Sequence, residues 1–121
     1  MSYIDLSAMP SPDLVREFVE IAMQMSYAEL RDQNERYNDL YKLQAQVANE
    51  LKARGARDLL LPLLDDKRRP VRLFAALKTL AVSPVHARQT LEALRDLKLY
   101  PDAAMAASAL QGLDEGSFIP D

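Results

Sequence analysis

The chain has 121 residues, no cysteine, one histidine and a formal net charge of −3. This length fits one domain, and the lack of cysteine excludes disulfides and thiolate metal sites, which is typical of a reducing compartment. The first residues do not resemble a signal peptide, and no apolar stretch reaches the roughly 20 residues that cross a bilayer. We therefore expect a single cytoplasmic domain over residues 1–121, with frayed tails at 1–10 and 115–121.

The charged residues are segregated along the chain. Residues 1–40 have a balance of −5, residues 41–98 a balance of +6, and residues 99–121 a balance of −4. Such asymmetry can steer a charged partner towards the protein. It is also consistent with a basic middle segment that lies against two acidic ends within the fold, and we favour this second interpretation.

The first helical pattern begins at Ser11 and Pro12. Serine is a common N-cap residue, and proline fits the first turn because its missing N–H has no partner there. Apolar residues then recur at helical spacing as far as Met25, which predicts an amphipathic helix.

A capping-box pattern follows directly, with Ser26 three residues before Glu29. This pattern predicts that a helix starts anew at Ser26. The polar stretch 31–36 interrupts the apolar stripe, so we expect a bend there. The sequence leaves open whether residues 26–33 form a short separate helix or the start of a long one.

A second helical stripe extends to Gly55, which can take a positive φ at low cost and is a natural C-terminal cap. Its members recur three or four residues apart and include one glutamine: Tyr37, Leu40, Tyr41, Gln44, Val47, Ala48 and Leu51.

The centre of the chain, residues 57–81, has the pattern of a helical hairpin. Its first half contains Pro62, which predicts a short helix with the proline in its first turns. Its second half begins at Pro70, and its apolar face is wide enough to require neighbours on two sides. We expect Leu77 and Leu80 to lie in the core.

A second hairpin is predicted over residues 84–113. Ser83 and Pro84 repeat the cap-and-proline pattern and open an amphipathic helix. Pro101 marks the start of the next helix, which is rich in alanine and therefore has high helix propensity.

The central hairpin resembles a HEAT repeat, in which an aspartate ends the first helix and a Val-Arg pair begins the second. The matching residues are Asp65 or Asp66, Val71, Arg72, Ala75, Ala76 and Leu80. From Leu14 to Leu113, the chain is similar to a bacterial family described as domain of unknown function 2019. The matching features are Tyr37-Asn38, the segment 51–55, the run 60–66, and Leu99-Tyr100-Pro101 before the alanine-rich helix.

The resemblance implies an all-α fold: a HEAT-like α-α hairpin stack, that is, a short right-handed α-α superhelix with N-terminal capping helices. It implies no activity, because the function of the family is unassigned. Stacks of this kind present extended surfaces rather than enclosed pockets.

No catalytic, cofactor-binding or metal-binding residues are predicted. A catalytic imidazole needs an orienting partner and a nucleophile or substrate, and His86 is the one histidine in the chain. We therefore expect His86 to be a partly buried structural residue, and we expect the protein not to be an enzyme and to require no cofactor.

The densest charge cluster is a basic loop that supplies candidate anion-binding residues, namely Lys67, Arg68, Arg69 and Arg72. Exposed cations can neutralise phosphates, which makes nucleic-acid or anion binding the alternative function. We expect instead that Arg72 pairs with Asp65 or Asp66. Nucleic-acid binding is disfavoured because it would need the positive charge to continue on neighbouring helices, and helix 102–113 contains no lysine or arginine.

Protein–protein interaction is the function that the sequence favours. The candidate partner-binding residues lie on the aromatic and alanine-rich helices: Tyr37, Tyr41, Ala104, Met105 and Ser108. Tyrosines at helical spacing are more often core residues, whereas an exposed Met105 or Leu110 would create the kind of apolar patch that interfaces use. The expected partner is one cognate protein, as for an antitoxin or immunity protein, or a second copy. No membrane partner and no small-molecule substrate are predicted.

Overall fold

The computed structural model describes residues 5–121, and within that range every regular element is helical, as the sequence predicts. The α-helices are α1 (Ser11–Leu30), α2 (Asn34–Ala53), α3 (Arg69–Thr79), α4 (Pro84–Leu97) and α5 (Asp102–Glu115). Two 3₁₀ segments, Leu6–Ala8 and Arg57–Asp65, lie before α1 and after α2. No helix in this part of the chain combines the length and the apolar character that crossing a bilayer requires.

The helices group into two compact units, of which the first ends at Leu59 and the second begins at Leu60. In the first unit α1 packs against α2, and the N-terminal 3₁₀ segment contacts α2. In the second unit α3 packs against α4 and α5, and α4 packs against α5. The wide apolar face of α3 predicted neighbours on two sides, and α4 and α5 are these neighbours.

Helix α1 continues through the capping-box pattern, so the predicted restart at Ser26 is wrong. The apolar stripe of α1 extends to Ala28, which is fully buried, and this burial holds the helix together past Ser26. The chain turns instead at Asp32, where φ is 55°, and the N–H of Gln33 donates to the carbonyl of Ala28. The predicted bend is therefore confirmed at the beginning of the polar stretch.

The start of α1 also differs from the prediction in one respect. Pro10 occupies the N-cap position and Ser11 lies inside the helix, where it makes no capping bond to the main chain. The Ser11 hydroxyl instead accepts a hydrogen bond from Nη1 of Arg54, at 3.2 Å. The hydroxyl oxygen of Ser11 therefore accepts a hydrogen bond from a distant arginine instead of from the main chain of the first helical turn.

Helix α2 ends where the sequence predicts. Gly55 has a φ of +65°, and its N–H donates to the carbonyl of Lys52 at 2.9 Å. The N–H of Ala56 donates to the carbonyl of Leu51 at 2.8 Å. These two bonds form a Schellman motif, which satisfies carbonyls that would otherwise have no partner at the end of the helix.

The first half of the central hairpin is a 3₁₀ helix and not the predicted α-helix. Pro62 lies in its middle, and proline cannot donate the main-chain hydrogen bond of a helix interior. A 3₁₀ helix is used in short pieces where regular α-helical bonding is not sustained. The central hairpin therefore consists of one 3₁₀ segment and one α-helix.

Helix α3 begins at Arg69, one residue before the predicted Pro70, and is buried on most of its surface. Its buried residues are Pro70, Val71, Leu73, Phe74, Ala75, Ala76 and Thr79, and Leu80 follows them. Leu77 is only half-buried, so the expectation that it belongs to the core is wrong. Leu77 instead lines a surface cavity together with residues of α5.

Helices α4 and α5 follow the predicted boundaries, with two differences in burial. His86 is exposed rather than partly buried, because the inward face of α4 begins one residue later at Ala87. Leu110 is buried against its own unit, with 3 % of its surface exposed. It therefore cannot contribute to an exposed apolar patch.

The C-terminal segment returns to α5. Gly116 has a φ of +76° and ends the helix. The N–H of Phe118 then donates to the carbonyl of Gly112 at 3.0 Å. A Cβ atom at residue 112 would lie 2.8 Å from the Cβ of Phe118, so this close approach requires glycine. This ordered contact of Phe118 lies within the segment 115–121, which was expected to be frayed.

Candidate functional site

Three of the predicted partner-binding residues converge on one surface of the second unit. Ala104, Met105 and Ser108 of α5, with Ala109, line a shallow cavity of about 390 Å³ that Leu77 of α3 closes on the other side. Residues three and four apart on a helix share a face, which explains why these side chains meet. We refer to these five residues as the α3–α5 groove.

The small side chains of α5 create the α3–α5 groove. Alanine and serine extend little beyond the helix backbone, so α5 does not cover Leu77 fully. Ala104 and Ser108 are exposed, and Met105 and Leu77 are half-buried. Methionine adapts its shape readily to a binding partner. The groove therefore combines accessible apolar atoms with one hydroxyl.

The two predicted tyrosines belong to the first unit. Tyr41 is 53 % exposed, so the interpretation of this aromatic stripe as core is wrong there, and Tyr37 is half-buried. Tyr27 of α1 is 55 % exposed, and the guanidinium of Arg31 lies 3.5 Å from the centre of its ring. The first unit thus presents accessible aromatic surface on both of its helices.

Two arginines of the basic loop are paired with aspartates. Arg68 binds Asp66 through two bonds, Nε to Oδ1 and Nη2 to Oδ2, both at 2.9 Å. The Arg68 side chain holds the pKa of Asp66 below its usual value. Arg69 donates from Nε to Oδ2 of Asp102 at 3.2 Å. These pairs neutralise charge that a bound anion would otherwise use.

The predicted pairing of Arg72 with a carboxylate is wrong. Within residues 5–121, Nη1 of Arg72 donates to the main-chain carbonyls of Asp66, at 2.9 Å, and Lys67, at 3.3 Å. These carbonyls follow the 3₁₀ segment and have no helical partner, so a charged donor stabilises them. Of the four candidate anion-binding residues, the three arginines therefore bind groups within the protein, and Lys67 is exposed.

The described residues, 5–121, contain no group of three or more metal-ligating side chains. The exposed His86 uses its main-chain carbonyl to accept a hydrogen bond from the Thr90 hydroxyl at 3.0 Å.

Arg54 was not among the predicted functional residues, but its guanidinium contacts α1, α2 and the N-terminal 3₁₀ segment. The local signal was weak, because a cation next to a C-terminal glycine is common at helix ends. The distant partners of this side chain depend on the fold of the whole first unit.

Comparison with known proteins gives a family but no function. No curated protein matches the chain significantly. The crystal structure of the protein RPA1889 from Rhodopseudomonas palustris CGA009 has 42% sequence identity and a TM-score of 0.92, over 98% of this chain and 100% of that one. The model of the domain of unknown function DUF2019 matches residues 12–114. The chain therefore belongs to the DUF2019 family.

Proposed function

We propose that the protein is a non-enzymatic interaction module that binds another protein through the α3–α5 groove. The observation that carries this proposal is the convergence of Ala104, Met105 and Ser108 with Leu77. Accessible apolar surface of this kind is typical of protein interaction sites. A bulky apolar side chain of a partner would fill the space that the small residues of α5 leave open.

We also propose that the helices form a HEAT-like stack, a short right-handed α-α superhelix with α1 and α2 as capping helices. The pairwise packing of neighbouring helices within each unit supports this arrangement. The Val71-Arg72 pair at the start of α3 supports it too, since Val71 is fully buried and Arg72 binds the preceding turn. Repeat stacks commonly use an extended surface to bind a partner.

The partner that we propose is one cognate protein in the cytoplasm, in the manner of an antitoxin or immunity protein. The size of the chain and its helical surface support this class. A second copy of the chain could fill the same groove, and the experiment below separates the two.

The alternative function, anion or nucleic-acid binding through the basic loop, has less support. Phosphate binding requires cations that are available for the ligand. Arg68 and Arg69 bind aspartates, and Arg72 binds two carbonyls. A phosphate would have to displace these groups, which lowers the affinity that the loop could provide.

The test is a double substitution in the groove, Ala104→Arg with Ser108→Arg. Both residues are exposed, so the change should leave the fold intact while filling the groove with charge. The matched control is Gln89→Arg with Ala93→Arg on α4, two exposed positions with the same spacing and the same added charge. Circular dichroism and thermal unfolding verify that both variants are folded.

Sedimentation velocity measures self-association, and affinity capture from the source organism identifies a bound protein. We expect the native chain and the control to capture the same protein in similar yield, and the groove variant to lose it. If the native chain forms a dimer and the groove variant does not, the partner that binds the groove is a second copy of the chain and not a different protein. If the groove variant binds as the control does, the groove is not the interface. Binding that falls steeply with salt would favour the basic loop.

A further inference from the structure

Arg54 binds the N-terminal segment to the end of α2. Its Nη1 donates to the carbonyl of Met9 at 2.7 Å, and its Nη2 donates to the carbonyls of Leu6, at 2.9 Å, and Ser7, at 3.3 Å. Its Nε donates to Oε2 of Glu50 at 2.9 Å, which fixes the direction of the guanidinium. A single side chain thus binds main-chain groups more than forty positions away.

Within residues 5–121, the segment 5–9, which we call the strap, makes few other contacts with the first unit. No residue of its 3₁₀ helix is fully buried, and the two large apolar side chains of the strap, Leu6 and Met9, are half-buried. The hydrophobic stabilisation of the strap is therefore modest. Its internal order comes from Asp5, whose Oδ1 accepts hydrogen bonds from the N–H and the hydroxyl of Ser7. The strap is therefore a short turn with local order from Asp5, and its described hydrogen bonds to the rest of the first unit come from Arg54.

The core of the first unit does not depend on the strap. The fully buried side chains of α1 and α2 include Phe18, Ile21 and Leu51, and the extensive contact between these two helices is separate from the few contacts that the 3₁₀ segment makes. Segments with few buried contacts open independently of the rest of a protein. Opening of the strap should therefore leave α1 and α2 folded.

We propose that the strap opens and closes on the folded first unit, that its short 3₁₀ turn is lost when it opens because an isolated turn is not stable in water, and that Arg54 is the residue that holds it closed. The strap forms one wall of a polar depression of about 540 Å³, and α2 forms the other wall with Gln46, Asn49, Glu50 and Ala53. Release of Arg54 removes the first wall and uncovers this face of α2. The proposal is independent of the function of the α3–α5 groove.

The planar fork of arginine is essential to this role, because its nitrogens reach Glu50 and the strap carbonyls at the same time. Lysine keeps the charge but has one nitrogen and cannot bridge these groups. Arg54→Lys therefore tests the geometry rather than the charge. Arg16→Lys is the matched control, since Arg16 lies in the same unit, is largely exposed and pairs with Asp13.

Amide hydrogen exchange followed by NMR reads the strap directly, because the N–H groups of Ala8 and Met9 donate to the carbonyls of Asp5 and Leu6. In the Arg54→Lys variant we expect exchange at these two amides to accelerate by about tenfold or more, since hydrogen bonds to charged groups are among the stronger ones. We expect the core amide of Ile21 to exchange at its native rate, and the Arg16→Lys variant to match the native chain throughout.

Three outcomes would overturn the proposal. Unchanged exchange at Ala8 and Met9 in the lysine variant would mean that Arg54 does not hold the strap. Equal acceleration at Ile21 would mean that the strap and the core open together. Unprotected exchange at Ala8 and Met9 in the native chain would mean that no closed state exists in solution.

Discussion

Arg69 and Asp102 lie 33 positions apart, and Nε of Arg69 donates to Oδ2 of Asp102 at 3.2 Å, which joins the first turns of α3 and α5. The Asp102 side chain is 9% exposed, and it lies at a helix N-terminus, where the helix dipole favours an anion. The pair connects the two helices that form the α3–α5 groove. It also gives Arg69 a structural role in place of the anion-binding role considered from the sequence.

The stability contribution of this pair is measurable by a double-mutant cycle with Arg69→Met and Asp102→Asn. We expect a coupling free energy of about 1 kcal/mol, because one partner is buried and the other is partly exposed to solvent. Urea unfolding of the four proteins gives this value. A coupling near zero would mean that the two side chains are stabilised independently and that the pair does not fix α3 against α5.

Leu77 of α3 and Leu80, which directly follows the end of α3, should differ in their importance for stability. Leu80 is 4% exposed, so Leu80→Ala leaves a cavity and should lower the free energy of unfolding by roughly 2–5 kcal/mol. Leu77 is half-buried at the groove, so Leu77→Ala should cost less than about half as much. Urea unfolding compares the two. Equal losses would show that Leu77 belongs to the core and that the groove is closed in solution.

Acid should weaken the turn before α3. Because Arg68 holds the pKa of Asp66 below the ordinary value, the ionised carboxylate stabilises the fold above the unfolded pKa, and this contribution disappears as the pH falls through the folded pKa. The free-energy difference between the native chain and Asp66→Asn should therefore be constant near neutrality and shrink as the pH drops from about 5 towards 2.

Arg68→Gln is the control for the acid effect. It removes the side-chain hydrogen bonds that are the main cause of the lowered pKa of Asp66, but it keeps the bond from the main-chain N–H of residue 68. In this background the effect of Asp66→Asn should therefore depend on pH less steeply than in the native chain. An undiminished pH dependence in the Arg68→Gln background would assign the effect to another group near Asp66.

The helix order was predictable because proline and glycine act locally. Pro70, Pro84 and Gly55 each lie within a residue or two of an observed helix end. The prediction of a new helix start at Ser26 was wrong because a local capping pattern carries no information about the packing of Ala28, two residues later. Pro62 was recognised, but its consequence, a 3₁₀ helix throughout the segment, depends on how the whole segment packs.

The α3–α5 groove was predictable in part. The spacing of Ala104, Met105 and Ser108 places them on one face of any helix, and the structure brings them together in this way. The contribution of Leu77 could not be derived, because helix periodicity gives the direction of a side chain but not the size of the residues opposite it. The carbonyl partners of Arg72 depend likewise on the exact path of the preceding turn.

Gly112 has a consequence for the design of fusions and labels. The position of Phe118 is determined by the absence of a side chain six residues earlier, where the two chain segments nearly touch. Alanine scanning of residues 117–121 alone would therefore not reveal that Gly112 determines their position. A methyl group at residue 112 would clash with Phe118 and displace the segment after Gly116 from α5. A substitution at residue 112 can therefore release this segment for the attachment of a label without changing the segment's own sequence.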